Sequence, residues 1–156
     1  MKRIAVIRIR GSIGMRREIK SSLSMLRLNI KNHCVVVRNS PTYVGMLRVV
    51  KDYVTWGEIN EKTFSELLKK RGRLVGKKSL TEDYVESKTK LNINEFVNEF
   101  FNFKRELKDI PGLKLNFRLK PPVGGFERKG VKIPFSLGGA LGYRKEKIND
   151  LIIKML

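Results

Sequence analysis

The chain has 156 residues, with 34 Lys and Arg side chains against 15 Asp and Glu and a formal net charge of +19. The length suits one compact domain, but this charge opposes folding by self-repulsion unless a polyanion neutralises it. We therefore expect a polyanionic partner, either nucleic acid or an anionic membrane surface. A single cysteine, Cys34, excludes an intrachain disulfide, and a single histidine, His33, excludes most zinc sites.

Of the two polyanions, the sequence favours nucleic acid. No apolar run approaches the ~20 residues of a membrane span, and residues 1–3 lead into a strand-like stretch instead of a signal peptide. We therefore predict a cytoplasmic protein without a membrane partner.

The first 55 residues predict two pairs of strand and helix. Residues 4–10 end in the alternation of a strand that is covered on one face, and residues 16–28 carry an apolar stripe with helical spacing. A second strand is predicted at His33–Val37, and Ser40 followed by proline is typical of a helix start. Because the apolar stripe of this second helix continues, we extend the helix through Val54.

The middle of the chain predicts further helices, and the third strand comes late. Asn60–Arg71 and Leu80–Phe103 have helical periodicity, and the phenylalanines of the latter predict a buried stripe. Residues 113–119 then alternate apolar and polar side chains, which predicts the third strand. Residues 148–155 predict a short closing helix.

These elements predict an α+β protein with a β-α-β-α-β core, a three-stranded sheet, a helical insertion and a basic, glycine-rich C-terminal extension. We assign residues 1–59 to the βαβα core, 60–110 to the insertion, and 111–156 to the third strand, extension and closing helix, all within one domain. The three segments carry 12 basic and 3 acidic side chains, 12 and 9, and 10 and 3, so their net charges are +9, +3 and +7. The two ends of the chain are therefore the basic parts.

Three basic segments are candidate RNA contacts. In the first, the end of a strand is followed by a glycine loop and then by the start of a helix. Free backbone amides at this helix start, together with the arginines around them, can bind a phosphate. The alternative is a plain tight turn. The residues are Arg8, Arg10, Gly11, Ser12, Gly14, Arg16 and Arg17.

The second basic segment is a helix end with its linker, which neutralises phosphates or, alternatively, is only solvated charge. Its residues are Lys69, Lys70, Arg71, Arg73, Lys77 and Lys78. If the basic segments converge on one side, the more acidic helices of residues 82–109 form a solvated side or a protein contact.

The third basic segment is the extension, where glycines allow close backbone approach and aromatic rings offer faces for base stacking. We expect it to stay mobile until a partner orders it. The candidate RNA-binding residues are Lys120, Gly124, Gly125, Phe126, Arg128, Lys129, Lys132, Gly138, Gly139, Tyr143 and Arg144.

The sequence predicts no catalytic residues, no metal, no cofactor and no small-molecule substrate. The acidic residues are scattered, and the adjacent His33 and Cys34 point to opposite faces of a strand, so they cannot act as base and nucleophile. We therefore predict that the protein is not an enzyme.

Four stretches resemble a known family. RIRGSIG at 8–14, NHCVVV at 32–37 and PTYVGMLRVVKDYVTWGEI at 41–59 are similar to the core of the universal large-subunit ribosomal protein L-thirty family, called L-seven in eukaryotes. FRLKPPVGGFERKGVKIPFSLGGALGYR at 117–144 is similar to the extension of its archaeal and eukaryotic members. The chain starts at the first strand without the eukaryotic basic arm, which favours the archaeal type.

The resemblance implies a fold and a role. The fold is a three-stranded sheet of order 3-1-2 with helices on one face, similar to a ferredoxin-like arrangement. The role is a structural constituent of the large ribosomal subunit that binds large-subunit rRNA near 5S rRNA, contacts neighbouring large-subunit ribosomal proteins, and supports assembly and translation. Two alternatives remain: an acylphosphatase-like enzyme with a similar loop after its first strand, and a free-standing RNA chaperone or assembly factor.

Overall fold

The computed structural model describes residues 2–156, except for the side chain of Lys77. Within that range, five strands form one sheet, in the order β4-β2-β1-β3-β5. The strands are β1 (Arg3–Arg8), β2 (His33–Arg38), β3 (Val54–Glu58), β4 (Phe117–Arg118) and β5 (Gly142–Tyr143). The central strand β1 pairs antiparallel with β2 and β3, and the short outer strands pair antiparallel with β2 and parallel with β3.

Six α-helices of the described residues 2–156 pack around the sheet. Several of them begin at side chains that cap free backbone N–H groups. Ser40 Oγ accepts the N–H of Tyr43, and Asn60 Oδ1 accepts the N–H of Thr63 at 2.8 Å. The helices are α1 (Arg17–Met25), α2 (Pro41–Val49), α3 (Glu61–Arg71), α4 (Glu82–Thr89), α5 (Ile93–Phe101) and α6 (Ile148–Met155).

The mixed α+β class is confirmed, but the prediction of a three-stranded sheet is wrong, because the sheet has five strands. The predicted helix through Val54 is also wrong: α2 ends at Val49, and β3 begins at Val54. β-Branched and aromatic residues favour this strand, and its pairing with β1 overrides the apolar stripe. Of the predicted strand 113–119, only Phe117–Arg118 pairs with β2.

Helices cover both faces of the sheet, so the expectation of helices on one face is wrong. Successive side chains of a strand point to opposite faces. Ile4 and Val6 accordingly belong to the core beneath α1 and α2, whereas Ala5 and Ile7 belong to the core beneath α3, α5 and α6. All six residues of β1 are buried as a result.

The phenylalanine stripe lies in the second of these cores, as predicted. The rings of Phe64 in α3 and Phe100 in α5 stack with centroids 4.6 Å apart, and Phe96 is fully buried beside them. Stacked aromatic pairs stabilise a core beyond the area that they bury. These rings hold the insertion on the sheet and are not available for stacking on bases.

The extension packs around a small apolar core, which it shares with Ile9. Ala140 and Leu141 are buried against Ile9 at the end of β1, and Phe126 and Val131 pack on the same cluster. Backbone hydrogen bonds close the extension on itself, and a Cβ at Gly139 would overlap the backbone of Ile133. The extension is thereby fixed to the end of the central strand.

Gly57 in β3 marks the closest approach of α6 to the sheet. A Cβ built at this position would overlap the carbonyl oxygen of Lys145 and lie 3.1 Å from Cβ of Ile148. Both atoms are close to the start of α6, and Gly57 is buried. The absence of a side chain therefore allows α6 to begin directly over β3.

Replacing Gly57 with Ala is expected to lower the free energy of unfolding by about 1–3 kcal/mol, because overpacking forces backbone shifts. Urea unfolding followed by circular dichroism measures the change. The matched control is Gly45→Ala in α2, where a Cβ meets nothing within 4 Å; it should raise the stability by about 0.5–1 kcal/mol. Equal stabilities of the two variants would contradict this account of the packing.

Candidate nucleic-acid interface

One end of the sheet, where β1 ends and β2 and β3 begin, gathers backbone from several segments; we call it the basic end. The N–H groups of Ile9 and Arg10 donate to the carbonyl of Tyr53 at 2.9 and 3.2 Å. On the other side, the N–H of Asn32 donates to the carbonyl of Arg8 at 2.8 Å. These bonds place the first basic segment, which follows β1, at the basic end.

The third basic segment begins at the same end. The N–H of Leu119 donates to the carbonyl of Asn32 at 3.0 Å, and the N–H of Lys120 donates to that of Met155 at 2.9 Å. Arg118 in β4 is exposed and pairs with His33. Sequence reasoning did not select Arg118, although the alternation of residues 113–119 placed a basic side chain on the outer face of that strand.

The second basic segment reaches this end only in part. The guanidinium of Arg71, at the end of α3, donates to the carbonyl of Leu156 beside Met155. The following residues turn away, since the N–H of Leu74 bonds to Lys78 and the N–H of Lys114 bonds to Arg73. The side chains of Arg73 and Lys78 are exposed there. The side chain of Lys77 lies outside the described part of the chain.

Lys69 and Lys70 each have an acidic neighbour. Lys69 Nζ lies 2.8 Å from Glu82, and Lys70 Nζ lies 3.2 Å from Glu66, with all four side chains well exposed. Exposed ion pairs of this kind contribute little to stability, so both cations remain able to exchange their partner for a phosphate.

Arg8 is buried and its guanidinium points into the protein. It donates to the carbonyls of Leu28, Asn29 and Arg10 at 2.7–2.9 Å and to Oγ of Ser12 at 2.8 Å. Burial lowers the pKa of Arg8, but an arginine keeps its charge at neutral pH. The prediction that Arg8 contacts RNA directly therefore does not fit its position; Arg8 fixes the glycine loop instead.

The remaining residues of the first basic segment lie at the surface. Arg10 is half-buried, donates to the carbonyl of Asp52 at 3.1 Å and lies over the ring of Tyr53. Arg16 and Arg17 are exposed and form no ion pair or side-chain hydrogen bond with any described residue. Gly11, Ser12 and Gly14 are exposed beside them.

Arg144 is the second predicted contact that the structure buries. Its guanidinium binds both carboxylate oxygens of Glu127, at 2.5 and 3.2 Å, and donates to Oγ1 of Thr55 and to the carbonyl of Ala140 at 2.8 Å each. It also lies over the ring of Phe135, 4.7 Å from the centroid. Arg144 thus joins the extension to β3, and it is not a free RNA ligand.

Three further residues of the extension have contacts within the chain. The hydroxyl of Tyr143 donates to Glu58 at 2.6 Å, and this bond, together with burial, raises the pKa of Tyr143 to about 12. Phe126 packs on the small core of the extension, and Gly139 is buried. Tyr143 is nevertheless exposed, and the other exposed residues of the predicted set are Lys120, Gly124, Gly125, Arg128, Lys129, Lys132 and Gly138.

The opposite end of the sheet carries acidic as well as basic side chains. Arg3 is buried there, bonded to Glu106 at 3.2 Å and to the carbonyl of Phe100 at 2.7 Å. Acidic and basic side chains alternate around the open cleft nearby, whose acids are Glu58, Glu61, Glu146 and Asp150. The lining of this cleft is therefore balanced in charge, with four acidic and four basic side chains.

Within the described residues, no group of three His, Cys, Asp or Glu side chains could hold a metal ion. No helix in that range has the length and apolar character needed to cross a membrane.

Comparison with known proteins identifies the class and then the family. Residues 4–54 match the family model described as ribosomal protein L30p/L7e. The chain is 49% identical to the large ribosomal subunit protein uL30 of Methanopyrus kandleri, over 95% of this chain and 100% of that protein. Its identity to the uL30 proteins of Methanococcus maripaludis and Nanoarchaeum equitans is 50% and 44%, each over 97% of this chain and over 98% and 97% of the relative.

These relatives place the chain in the class of large-subunit ribosomal proteins. The chain belongs to the uL30 family, as the resemblance of its motifs implied.

The pKa of His33 depends on burial and on the positive charge at the basic end. Its ring is buried, and Nδ1 lies 3.2 Å from the amide nitrogen of Asn116, which suits a neutral imidazole that accepts at Nδ1. Burial, and after it the charges of Arg118 and Arg8, lower the pKa of His33. The folded protein therefore favours the neutral ring.

The free energy of unfolding should fall as the pH drops below about 6.5, the ordinary pKa of histidine, because the unfolded chain then binds a proton that the folded chain resists. The slope is at most about 1.4 kcal/mol per pH unit. Urea unfolding between pH 7.5 and 5.5 measures it, since carboxyl groups titrate mainly at lower pH. His33→Gln should flatten the profile; an unchanged slope in that variant would refute the assignment.

Proposed function

We propose that this protein is a structural constituent of the large ribosomal subunit and that it binds large-subunit rRNA through the basic end of its sheet, with 5S rRNA nearby as the family resemblance implies. The observation that carries the proposal is the hydrogen-bonded chain of contacts that brings the first and third basic segments, and Arg71 of the second, to one end of the fold. A concentrated patch of cations is the electrostatic footprint expected of RNA binding.

The geometry divides the basic residues into two groups. Arg8 and Arg144 hold the loop and the extension in place through contacts inside the protein. We assign the phosphate contacts to exposed cations of the first and third basic segments. These cations form no ion pair with any described residue. These are Arg16, Arg17, Lys120, Arg128, Lys129 and Lys132.

Phosphate contacts make the affinity depend steeply on salt, because each neutralised phosphate releases condensed counterions. With about 6–10 such contacts, the affinity should fall by roughly 10³–10⁵ between 50 and 200 mM salt. A nearly flat response to salt would speak against a phosphate-dominated interface.

The double variant Arg16→Ala with Arg17→Ala tests the loop directly. It should reduce the slope of log K against log salt by about 1–2, because each lost phosphate contact removes about one from the slope. The measurement is filter binding to large-subunit rRNA over a salt series.

Lys62→Ala is the matched control for that variant. Lys62 is an exposed cation in the first turn of α3 and borders the mixed-charge cleft at the opposite end of the sheet. Its removal should leave the slope unchanged. If Lys62→Ala and the double variant lowered the slope equally, the net charge and not the basic end would determine binding.

Stable association with the large subunit distinguishes a structural constituent from a free-standing RNA chaperone or assembly factor. Tagged protein should remain with large subunits after sedimentation through high salt, because a constituent is held by neighbouring ribosomal proteins as well as by its salt-sensitive phosphate contacts. Release of most of the protein into the soluble fraction would favour the assembly factor. Membership in a family of ribosomal proteins gives no support to the acylphosphatase alternative.

A further inference from the structure

The most exposed aliphatic side chains of the described chain lie within the basic segments. Ile13 is 101% exposed, Val123 is 79% exposed and Val75 is 72% exposed, and each lies in a different basic segment. Single apolar residues at a surface are common. These three are unusual because they coincide with the regions richest in cations, where solvated polar side chains would be expected.

Ile13 is displayed by a loop that is fixed on both sides. Before it, Oγ of Ser12 accepts a hydrogen bond from the buried guanidinium of Arg8 at 2.8 Å. After it, the N–H of Met15 lies 3.4 Å from the carbonyl of Ser12, and the Met15 side chain packs on the core beneath α1 and α2. The loop therefore holds Ile13 outward without any contact to the rest of the protein.

The surroundings of Ile13 indicate the kind of partner. Arg16 and Arg17 follow within four residues, exposed and without an ion pair among the described residues. The nearest acidic residue in the sequence is Glu18, in the first turn of α1. This excess of free positive charge is complementary to a polyanion and disfavours a basic or purely apolar protein surface as the partner.

We infer that Ile13 makes a direct apolar contact with RNA while the neighbouring arginines hold phosphates, and that Val123 does the same from the extension. The ligand surface is the face of an unstacked nucleobase or the sugar edge of the shallow minor groove, which RNA presents and which aliphatic side chains can cover. This inference rests on the proposed function and adds to it a contribution to binding that does not depend on salt.

The salt series distinguishes the two kinds of contact, because only phosphate contacts change the slope. Ile13→Ala should weaken binding to large-subunit rRNA roughly tenfold at every salt concentration, as loss of a few buried methylene groups predicts, and leave the slope unchanged. Ile13→Lys should steepen the slope and lose affinity at high salt. The thermal midpoint of both variants should equal that of the unchanged protein, since Ile13 has no contact inside the fold.

Met25→Ala is the control. Met25 is 64% exposed and lines a groove that also contains Arg38 and Glu106, away from the basic end, so this variant should bind as the unchanged protein does. If Ile13→Ala binds as tightly as the unchanged protein, or if it changes the slope, the apolar contact is refuted while the proposed function stands. If the unchanged protein itself shows no salt-dependent binding, both fail.

Discussion

The guanidinium of Arg8 lies where β1 ends, and the arrangement of the basic end depends on it. Its hydrogen bonds tie the loop after β1 to the segment before β2, and its acceptors are three carbonyl oxygens and a hydroxyl. A buried charge without hydrogen bonds would be too costly to keep. Here the hydrogen bonds are satisfied, but no carboxylate among the described residues pairs with the charge. Its field extends to His33, whose pKa it helps to lower.

Arg3 and Arg144 are also buried, but unlike Arg8 each of them pairs with a carboxylate. Arg3 is paired with Glu106 and lies between the rings of Phe100 and Phe103, and Arg144 is held by both oxygens of Glu127. Each of these pairs joins a late part of the chain to the sheet and places a carboxylate against the guanidinium, although Glu106 also pairs with Arg38. Arg8 lacks such a compensation, so the free protein carries unbalanced buried charge at the basic end. An RNA phosphate near this end would supply the missing negative charge from outside.

The sequence predicts much of this fold, and its failures have physical causes. Helical and strand periods locate β1, β2, α2, α3 and α6, because their apolar faces determine their structure. β3 was missed since Val54 fits both the stripe of the preceding helix and the start of a strand, and only pairing with β1 decides between them. Sequence reasoning also missed that helices cover the second face of the sheet, because Arg8 on that face has the pattern of a solvent-facing residue. In the structure, Arg8 is buried and donates to the carbonyls of Leu28 and Asn29, which lie 20 and 21 residues away in the sequence.

Contacts between residues that are distant in the sequence also limited the prediction of RNA-binding residues. Periodicity and charge locate a basic loop, but they do not distinguish an arginine that donates inward, such as Arg8 or Arg144, from one that is free, such as Arg16. That distinction depends on acceptors supplied by distant parts of the chain. Arg8 and Arg144 hold the loop and the extension through contacts inside the protein, whereas Arg16 and Arg17 remain exposed. In the proposed RNA complex, a loop that is fixed from inside and bears exposed cations would attract the polyanion over a long range at a small cost in ordering.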